Sequence, residues 1–358
     1  MDSFVPKYAV ITEYIKNKIK EGTLTDGMKA PSENALTKKF GVSRDTVRRA
    51  FKTLEEEGIV TSVRGSGTYV HVKSASASKR VAVITTYVEN YIFPRIIMGI
   101  EAALAERGYS MQLSFTNNKF EKERELLDDL IEKADVAGII MEPVKSALPN
   151  PNLDCYRTLL SKEIPIVFIN TYYKGIDIPH VSLNDKRMGY MATRYLLSKG
   201  HERVGAILKM DDGQGHLRYS GYSKALFDAG IKNTSDSVVW YDTKDENDIT
   251  ALSEHLLNRL KDCTAVFCYN DRVALEYVGF LSKNGVKVPE DVSVISMDNS
   301  DLAEYGDVKI TSCRHPMENL GKKAAESLFK LMKDPKSEVT EELITSVVER
   351  DSVKALKK

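Results

Sequence analysis

Cysteine is scarce and scattered in this chain, with four residues in 358: Cys155, Cys263, Cys268 and Cys313. None has the close paired spacing of a metal site, and Cys263 and Cys268 flank what reads as a single buried strand. A disulfide framework and a zinc cluster are therefore excluded, and reduced, structural thiols are expected. Long apolar runs are also missing. The longest, such as VAVITTYV and AGIIM, are strand-sized, whereas a membrane-spanning helix needs about 20 apolar residues. The opening MDSFVPKYAVITEYIKNKIK has no basic segment leading into an apolar one, so a cytoplasmic protein with no membrane partner is expected. The six histidines are dispersed at positions 71, 180, 201, 216, 255 and 315. None sits in a nucleophile elbow, a metal pair or a phosphate loop, so the reading is a non-enzyme with no metal and no cofactor. The GSGTYV stretch at 65–70 is a near-miss of a dinucleotide fingerprint. It has Val70 where a third glycine belongs, and it leads into a strand, where no helix dipole can hold pyrophosphate.

Net charge is absent overall, with 51 basic and 51 acidic side chains, but it is unevenly spread. Residues 1–79 carry 14 Lys and Arg against 9 Asp and Glu, and the remainder carries 37 against 42. A small basic part joined to a large acidic one implies that only the first part approaches a polyanion. The length predicts two or three domains, and 42% hydrophobic with 28% charged residues is globular composition.

In the basic part, Tyr8, Ile11, Ile15 and Ile19 recur at helical spacing up to a stop at Gly22. A second helix starts at Pro31-Ser32 with Ser32 as its cap, buries Leu36 and Phe40, and is closed by Gly41. Ser43 caps a third helix. Its Val47, Phe51 and Leu54 face a core, while Arg44, Asp45, Arg48 and Lys52 share the opposite side with Arg49 beside them. The segment IVTSVRGSGTYVHV then reads as a β-hairpin turning through Arg64-Gly65-Ser66-Gly67. Three helices and a hairpin make a winged helix-turn-helix occupying residues 1–71. An arginine ridge over a buried face suits a major groove, where guanidinium forks meet guanine or phosphate. Residues 72–79 are small and polar and read as a flexible linker spanning at most about 26 Å.

From residue 80 to 358 the pattern alternates strand and helix. Apolar strands bounded by helices imply parallel sheets buried on both faces, and two such repeats imply a two-lobed, doubly wound α/β domain. In that arrangement ligands bind beyond the strand C-terminal ends. Those ends carry Tyr91, Phe93, Glu142, Asn170, Tyr172, Asp185, Asn270-Asp271 and Asp298-Asn299, with Arg218 expected to open a helix after a strand. Planar donors and acceptors beside aromatic rings suit a sugar. Asp185 and Asn270-Asp271 equally suit helix starts, and His201 after Gly200 reads as a helix cap.

The head, through PSENAL…FGVSRDTVRRAFKTLEEEGIV and RGSGTYV, closely resembles the DNA-binding domain of GntR-type bacterial regulators. That resemblance implies contacts to operator DNA, with Glu33, Ser43, Arg44, Thr46, Arg48, Arg49, Arg64 and Gly67 as the candidate residues. The larger part resembles the periplasmic-binding-protein-like domain of LacI/GalR regulators through GHERVGAI, RYSGYSKAL, AVFCYNDRVAL, VPEDVSVISMDNSD and ITSCRHP. It departs from the common pattern at Asn299, where a second aspartate is frequent. By this resemblance Asp185, Arg218, Asn270 and Asp298 hold a sugar from the second lobe, Tyr91, Phe93 and Glu142 act from the first, and His315 lies at a lobe crossover. The fusion of these two parts is similar to the arabinose-repressor family, notably at TTYVENYIFPRIIMGIE and MEPVKSALPNPNL. A homodimer that binds a palindromic operator and releases it on L-arabinose is the function implied. Another pentose, a hexose or a purine remains open as the effector.

Overall fold

The computed structural model describes residues 6–63, 65–70, 78–88, 91–232, 235–245 and 248–356. It divides into two units, residues 1–78 and 79–358. Arg64 and most of the expected linker lie outside the described residues.

In the first unit, α1 (Lys7–Lys20), α2 (Glu33–Phe40) and α3 (Arg44–Glu56) precede a hairpin of β1 (Val60–Val63) and β2 (Gly67–Val70). Ile11, Ile15, Leu36, Val47, Phe51, Leu54, Val60 and Val70 form its core. The Ser32 hydroxyl accepts the Ala35 N–H and the Ser43 hydroxyl accepts the Thr46 N–H, so each cap satisfies a donor the helix start would leave orphaned. Gly41, at φ 60°, ends α2 in the left-handed conformation that turns the chain into α3.

The second unit contains two six-stranded sheets. The first lobe is built from β3 (Arg80–Thr85), α4 (Phe93–Ala105), β4 (Ser110–Phe115), α5 (Phe120–Lys133), β5 (Gly138–Met141), α6 (Leu153–Ser161), β6 (Ile166–Ile169) and β7 (His180–Leu183). The second lobe follows with α7 (Asp185–Ser198), β8 (Val204–Lys209), α8 (Gly213–Asp228), β9 (Val238–Tyr241), α9 (Ser253–Leu260), β10 (Ala265–Cys268), α10 (Asp271–Lys283), β11 (Ser293–Asp298) and β12 (Thr311–Arg314). The chain then returns through α11 (Met317–Lys333) and β13 (Glu341–Leu343) to the first lobe, and through β14 (Val347–Val348) to the second. Strand order is β13-β7-β6-β5-β3-β4 in one sheet and β14-β12-β11-β10-β8-β9 in the other. Every pairing is parallel except β14 on β12, so the expected all-parallel sheet gains one antiparallel edge. Strands β5, β6 and β10 are buried throughout, as sheets covered by helices on both faces must be.

The chain therefore crosses between lobes three times: at Asn184, at His315-Pro316 and between β13 and β14. One sequence expectation needs correction here. Arg218 does not open its helix; α8 begins at Gly213, and the Gly-Gln-Gly start had the composition of a turn. His201 caps α7 through its backbone N–H, which donates to the Leu196 carbonyl at 3.2 Å after Gly200 at φ 89°, while its ring is fully buried between the Thr264 hydroxyl (3.1 Å) and the Lys354 carbonyl (3.0 Å). It ties the C-terminal segment to the second lobe.

Helices α7 and α8 touch backbone to backbone. A Cβ on Gly189 would lie 2.3 Å from the Arg218 carbonyl oxygen, and one on Gly221 would lie 2.0 Å from that of Lys186. Neither helix can yield without moving its whole backbone. Gly189→Ala and Gly221→Ala should each lower the unfolding free energy by about 1–3 kcal/mol, as overpacking does. Denaturant titration of the full chain measures this, and wild-type stability in both variants would contradict the close contact.

Candidate functional site

The head presents α3 with its apolar side buried and its arginines outward. Arg44 donates through Nη2 to Asn34 Oδ1 at 2.8 Å, and Arg48 Nε lies 3.3 Å from both carboxylate oxygens of Glu33. The Arg48 side chain remains 62% exposed, so this pair contributes little stability and mainly orients the guanidinium. Arg49 leaves the ridge: its guanidinium stacks 4.3 Å from the Tyr8 ring centre on α1. The Ser43 and Thr46 hydroxyls are 2.9 Å apart at the helix start. At the hairpin, Gly67 has φ +123°, and a Cβ there would lie 2.5 Å from Lys29 Cε, which places an amine beside the wing. Helix α2, the Gly41 turn and α3 together form a helix-turn-helix whose second helix offers exposed, oriented guanidinium groups.

In the second unit, a cavity of about 250 Å³ opens between the strand C-terminal ends of the two sheets. Thr86, Tyr87, Tyr91, Ile92, Phe93, Asn118, Glu142, Pro143 and Thr171 line it from the first lobe. Lys209, Asp212, Gln214, Arg218, Tyr269, Asn270, Arg272 and Asp298 line it from the second, and His315 from the crossover. Arg218 is the buried centre of the second wall. Its Nε donates to Asp185 Oδ1 at 2.7 Å, its Nη1 to the Tyr269 carbonyl at 2.5 Å, and its Nη2 lies 3.9 Å from Asp298 Oδ1. The Tyr269 ring centre lies 4.5 Å from Arg218 Cζ. Burial works against the guanidinium charge, but the Asp185 and Asp298 carboxylates overcome it and keep Arg218 ionised.

Glu142 accepts from the Thr86 N–H at 2.9 Å, from the Thr86 hydroxyl, and from the Asn170 amide at 2.7 Å. Burial raises its carboxyl above the ordinary range against these hydrogen bonds. Across the cavity the Tyr91 hydroxyl donates to Asp298 and accepts the Asp271 N–H at 3.2 Å. Tyr91 has φ 84° and Asp298 has φ 99°, both sparsely populated for residues with a side chain. Such strain costs on the order of 1–3 kcal/mol per residue and collects at ligand sites. Asn270 caps α10 by accepting the Val273 N–H at 2.9 Å, so what its side chain offers the cavity is an NH2 donor. His315 is buried and its Nδ1 has no hydrogen-bond partner.

Residues 7–70 match the gntR family of bacterial regulatory proteins, and residues 193–353 match the periplasmic binding protein-like domain. The chain is 36% identical to the arabinose metabolism transcriptional repressor of Halalkalibacterium halodurans, covering 90% of this chain and 88% of that one. It is 34% identical to the repressor of the same name from Geobacillus stearothermophilus, covering 92% of each. The crystal structure of the transcription regulator CcpA of Lactococcus lactis superposes with a TM-score of 0.69 at 27% identity, over 77% of this chain and all of that one. The chain belongs to the family of arabinose metabolism transcriptional repressors. It is a transcriptional regulator and not an enzyme, and no described helix is long and apolar enough to cross a membrane.

Within this repressor, the structure brings Tyr91, Phe93, Glu142, Arg218, Asn270, Asp298 and His315 together around the cavity. Asn170 and Asp185 stand behind the wall, where they hold Glu142 and Arg218. Asp185 is the first residue of α7, and the cap is Asn184. Tyr172 lies elsewhere. After Asn170, at φ 63°, the Thr171 hydroxyl meets Ser146 at 2.9 Å, while the Tyr172 ring stacks 4.2 Å from His180 and lines a neighbouring cavity. Sequence reasoning missed Lys209, Asp212 and Arg272. Lys209 is the last residue of the apolar strand VGAILK, so the strand-end rule that located Glu142 locates it as well.

Burial pushes His315 down to about 4, aided by Arg218 and opposed by the attraction of Asp298. A histidine held below its unfolded value supports the fold while neutral. Its contribution is complete above about pH 6.5 and is lost as pH falls towards 4. Unfolding free energies between pH 7 and 4 should therefore fall more steeply for wild type than for His315→Gln, and equal slopes would contradict this assignment.

Proposed function

We propose that this protein represses arabinose-utilisation genes by holding a palindromic operator through two winged heads of a homodimer, and that L-arabinose is the effector that releases it. The observation that carries the reading is the cavity between the lobes. At about 250 Å³ it lies below the roughly 300–1,000 Å³ of drug-sized sites and suits one monosaccharide. Its charged lining comprises Lys209, Arg218 and Arg272 against Glu142, Asp212 and Asp298, which leaves no surplus for an anion and favours a neutral polyol. Tyr91, Phe93 and Tyr269 supply ring faces, while Asn270, Gln214 and Asn118 supply paired donors and acceptors. The names of the two repressor relatives, arabinose metabolism transcriptional repressors, favour arabinose among such sugars.

On the DNA side, Arg44 and Arg48 read bases or grip phosphate, Glu33, Ser43 and Thr46 set the helix, and Gly67 lets the wing backbone approach the duplex. Sugar bound across the cleft favours one lobe arrangement, and its differential affinity for that arrangement supplies the coupling to the heads.

Calorimetry with L-arabinose, other pentoses, hexoses and purines tests the effector. L-arabinose should bind and outrank the rest, and a purine or hexose outranking it would replace the assignment. Gel-shift titration tests the head. Arg44→Ala and Arg48→Ala should each weaken operator binding by about 1–3 kcal/mol, roughly fivefold to 150-fold, while normal binding by both would return these arginines to a solvated surface.

A further inference from the structure

The cleft contains a charge pair whose lysine is buried. Lys209 ends β8 with its side chain only 2% exposed, and its Nζ lies 2.9 Å from Asp212 Oδ2. A desolvated ammonium is costly, and a carboxylate partner rarely repays the whole of that cost compared with an apolar side chain. The rest of VGAILK supplies apolar residues at every other position of the strand, so packing alone gives no reason for a lysine at its end. Both members of the pair line the same cavity as Glu142 and Arg218. Asp212 keeps 14% of its side chain exposed, so the pair lies at the cavity surface and not in the sheet interior.

We propose that Lys209 and Asp212 form a second sugar-reading pair: the ammonium donates to one ring hydroxyl, the carboxylate accepts from its neighbour, and the carboxylate charge turns sugar acids away. This rests on the sugar reading above and adds a specificity determinant to it. The spacing of the two groups is comparable to that between adjacent hydroxyl oxygens on a pyranose or furanose ring, so one pair can bracket a vicinal diol. A hydroxyl is both donor and acceptor, and only a diol satisfies both groups at once. Asp212 balances Lys209, and without that charge the lining carries one excess positive group. A site built to meet specific hydroxyls rejects analogues that lack them, because its buried polar atoms are then left unpaired.

The test is calorimetry on the full chain with L-arabinose, a set of deoxy-L-arabinoses each lacking one hydroxyl, and L-arabinonate. The variants are Lys209→Met/Asp212→Asn, which leaves no unpaired charge, and Asp212→Asn alone. The double variant should bind L-arabinose about tenfold to a hundredfold more weakly. It should also be indifferent to loss of the two hydroxyls whose removal costs wild type most. Asp212→Asn should shift preference from L-arabinose towards L-arabinonate, a gain that damaged protein would not show. A double variant with wild-type affinity and the wild-type pattern across the deoxy sugars overturns the pair's role. No shift towards the acid in Asp212→Asn overturns the charge exclusion. Wild type binding none of the sugars would instead remove the effector reading beneath it, so the two failures are distinguishable.

Discussion

The cleft depends on one caged guanidinium. Arg218 projects from α8 and is held by Asp185 at the start of α7, by the Tyr269 carbonyl just beyond β10 and by Asp298 at the end of β11. A buried charge is tolerable only when its partners are all in place, so these three segments have one permitted arrangement. The backbone contact of α7 with α8 through Gly189 and Gly221 brings Arg218 within reach of Asp185. Asp271 completes the scaffold. Its buried carboxylate accepts from the Ser296, Ser300 and Ser312 hydroxyls and the Ser300 N–H, fixing the loop that follows Asp298. The second-lobe wall is thus organised before a ligand arrives, which lowers the ordering cost of binding.

The first lobe is attached more loosely. The chain crosses between lobes three times, and the crossings are cross-linked by polar contacts: Asn184 donates to Glu342 at 2.7 Å, and the Thr345 hydroxyl donates to the Arg314 carbonyl. Across the mouth, Tyr91 reaches Asp298, Asn118 donates to Thr243 at 2.8 Å and Arg95 pairs with Asp301 at 2.9 Å. Hydrogen bonds of this kind contribute about 1 kcal/mol each, and an exposed ion pair such as Arg95–Asp301 contributes less. A handful of them is of the same size as the differential binding free energy of a small ligand. Lobe arrangement is therefore an equilibrium that a sugar can move.

Much of this was legible in the sequence, for identifiable reasons. The described elements of the head could be read because caps, periodicity and punctuation agree: Ser32 and Ser43 start helices, Gly41 turns the chain, and Ile11, Ile15, Val47 and Leu54 repeat at helical spacing. The lobes were legible because buried parallel strands are uninterrupted apolar runs. The short, polar strands β13 and β14 carry no such signal and are defined only by their neighbours β7 and β12. Helix α8 was started late because its first turn contains two glycines. Among site residues, the strand-end rule found Glu142 and Asp298 but gave no means of telling a side chain on the wall from one behind it. Asn170 and Asp185 look like ligand groups in sequence, yet in the fold they are the supports of Glu142 and Arg218. Tyr172 was displaced by the backbone turn at Asn170, which no local pattern announces. Lys209 was passed over because a lysine after five apolar residues reads as the solvated end of a strand.

Under the proposed function, occupancy of the cleft and grip on DNA are alternatives on one chain. Fluorescence anisotropy of labelled operator, titrated with the full-length protein at fixed salt in the absence and presence of saturating L-arabinose, measures this directly. Operator affinity should fall by roughly 5- to 150-fold with sugar, the range of a coupling free energy of about 1–3 kcal/mol. Superimposable binding curves, from protein shown calorimetrically to have bound the sugar, would contradict it.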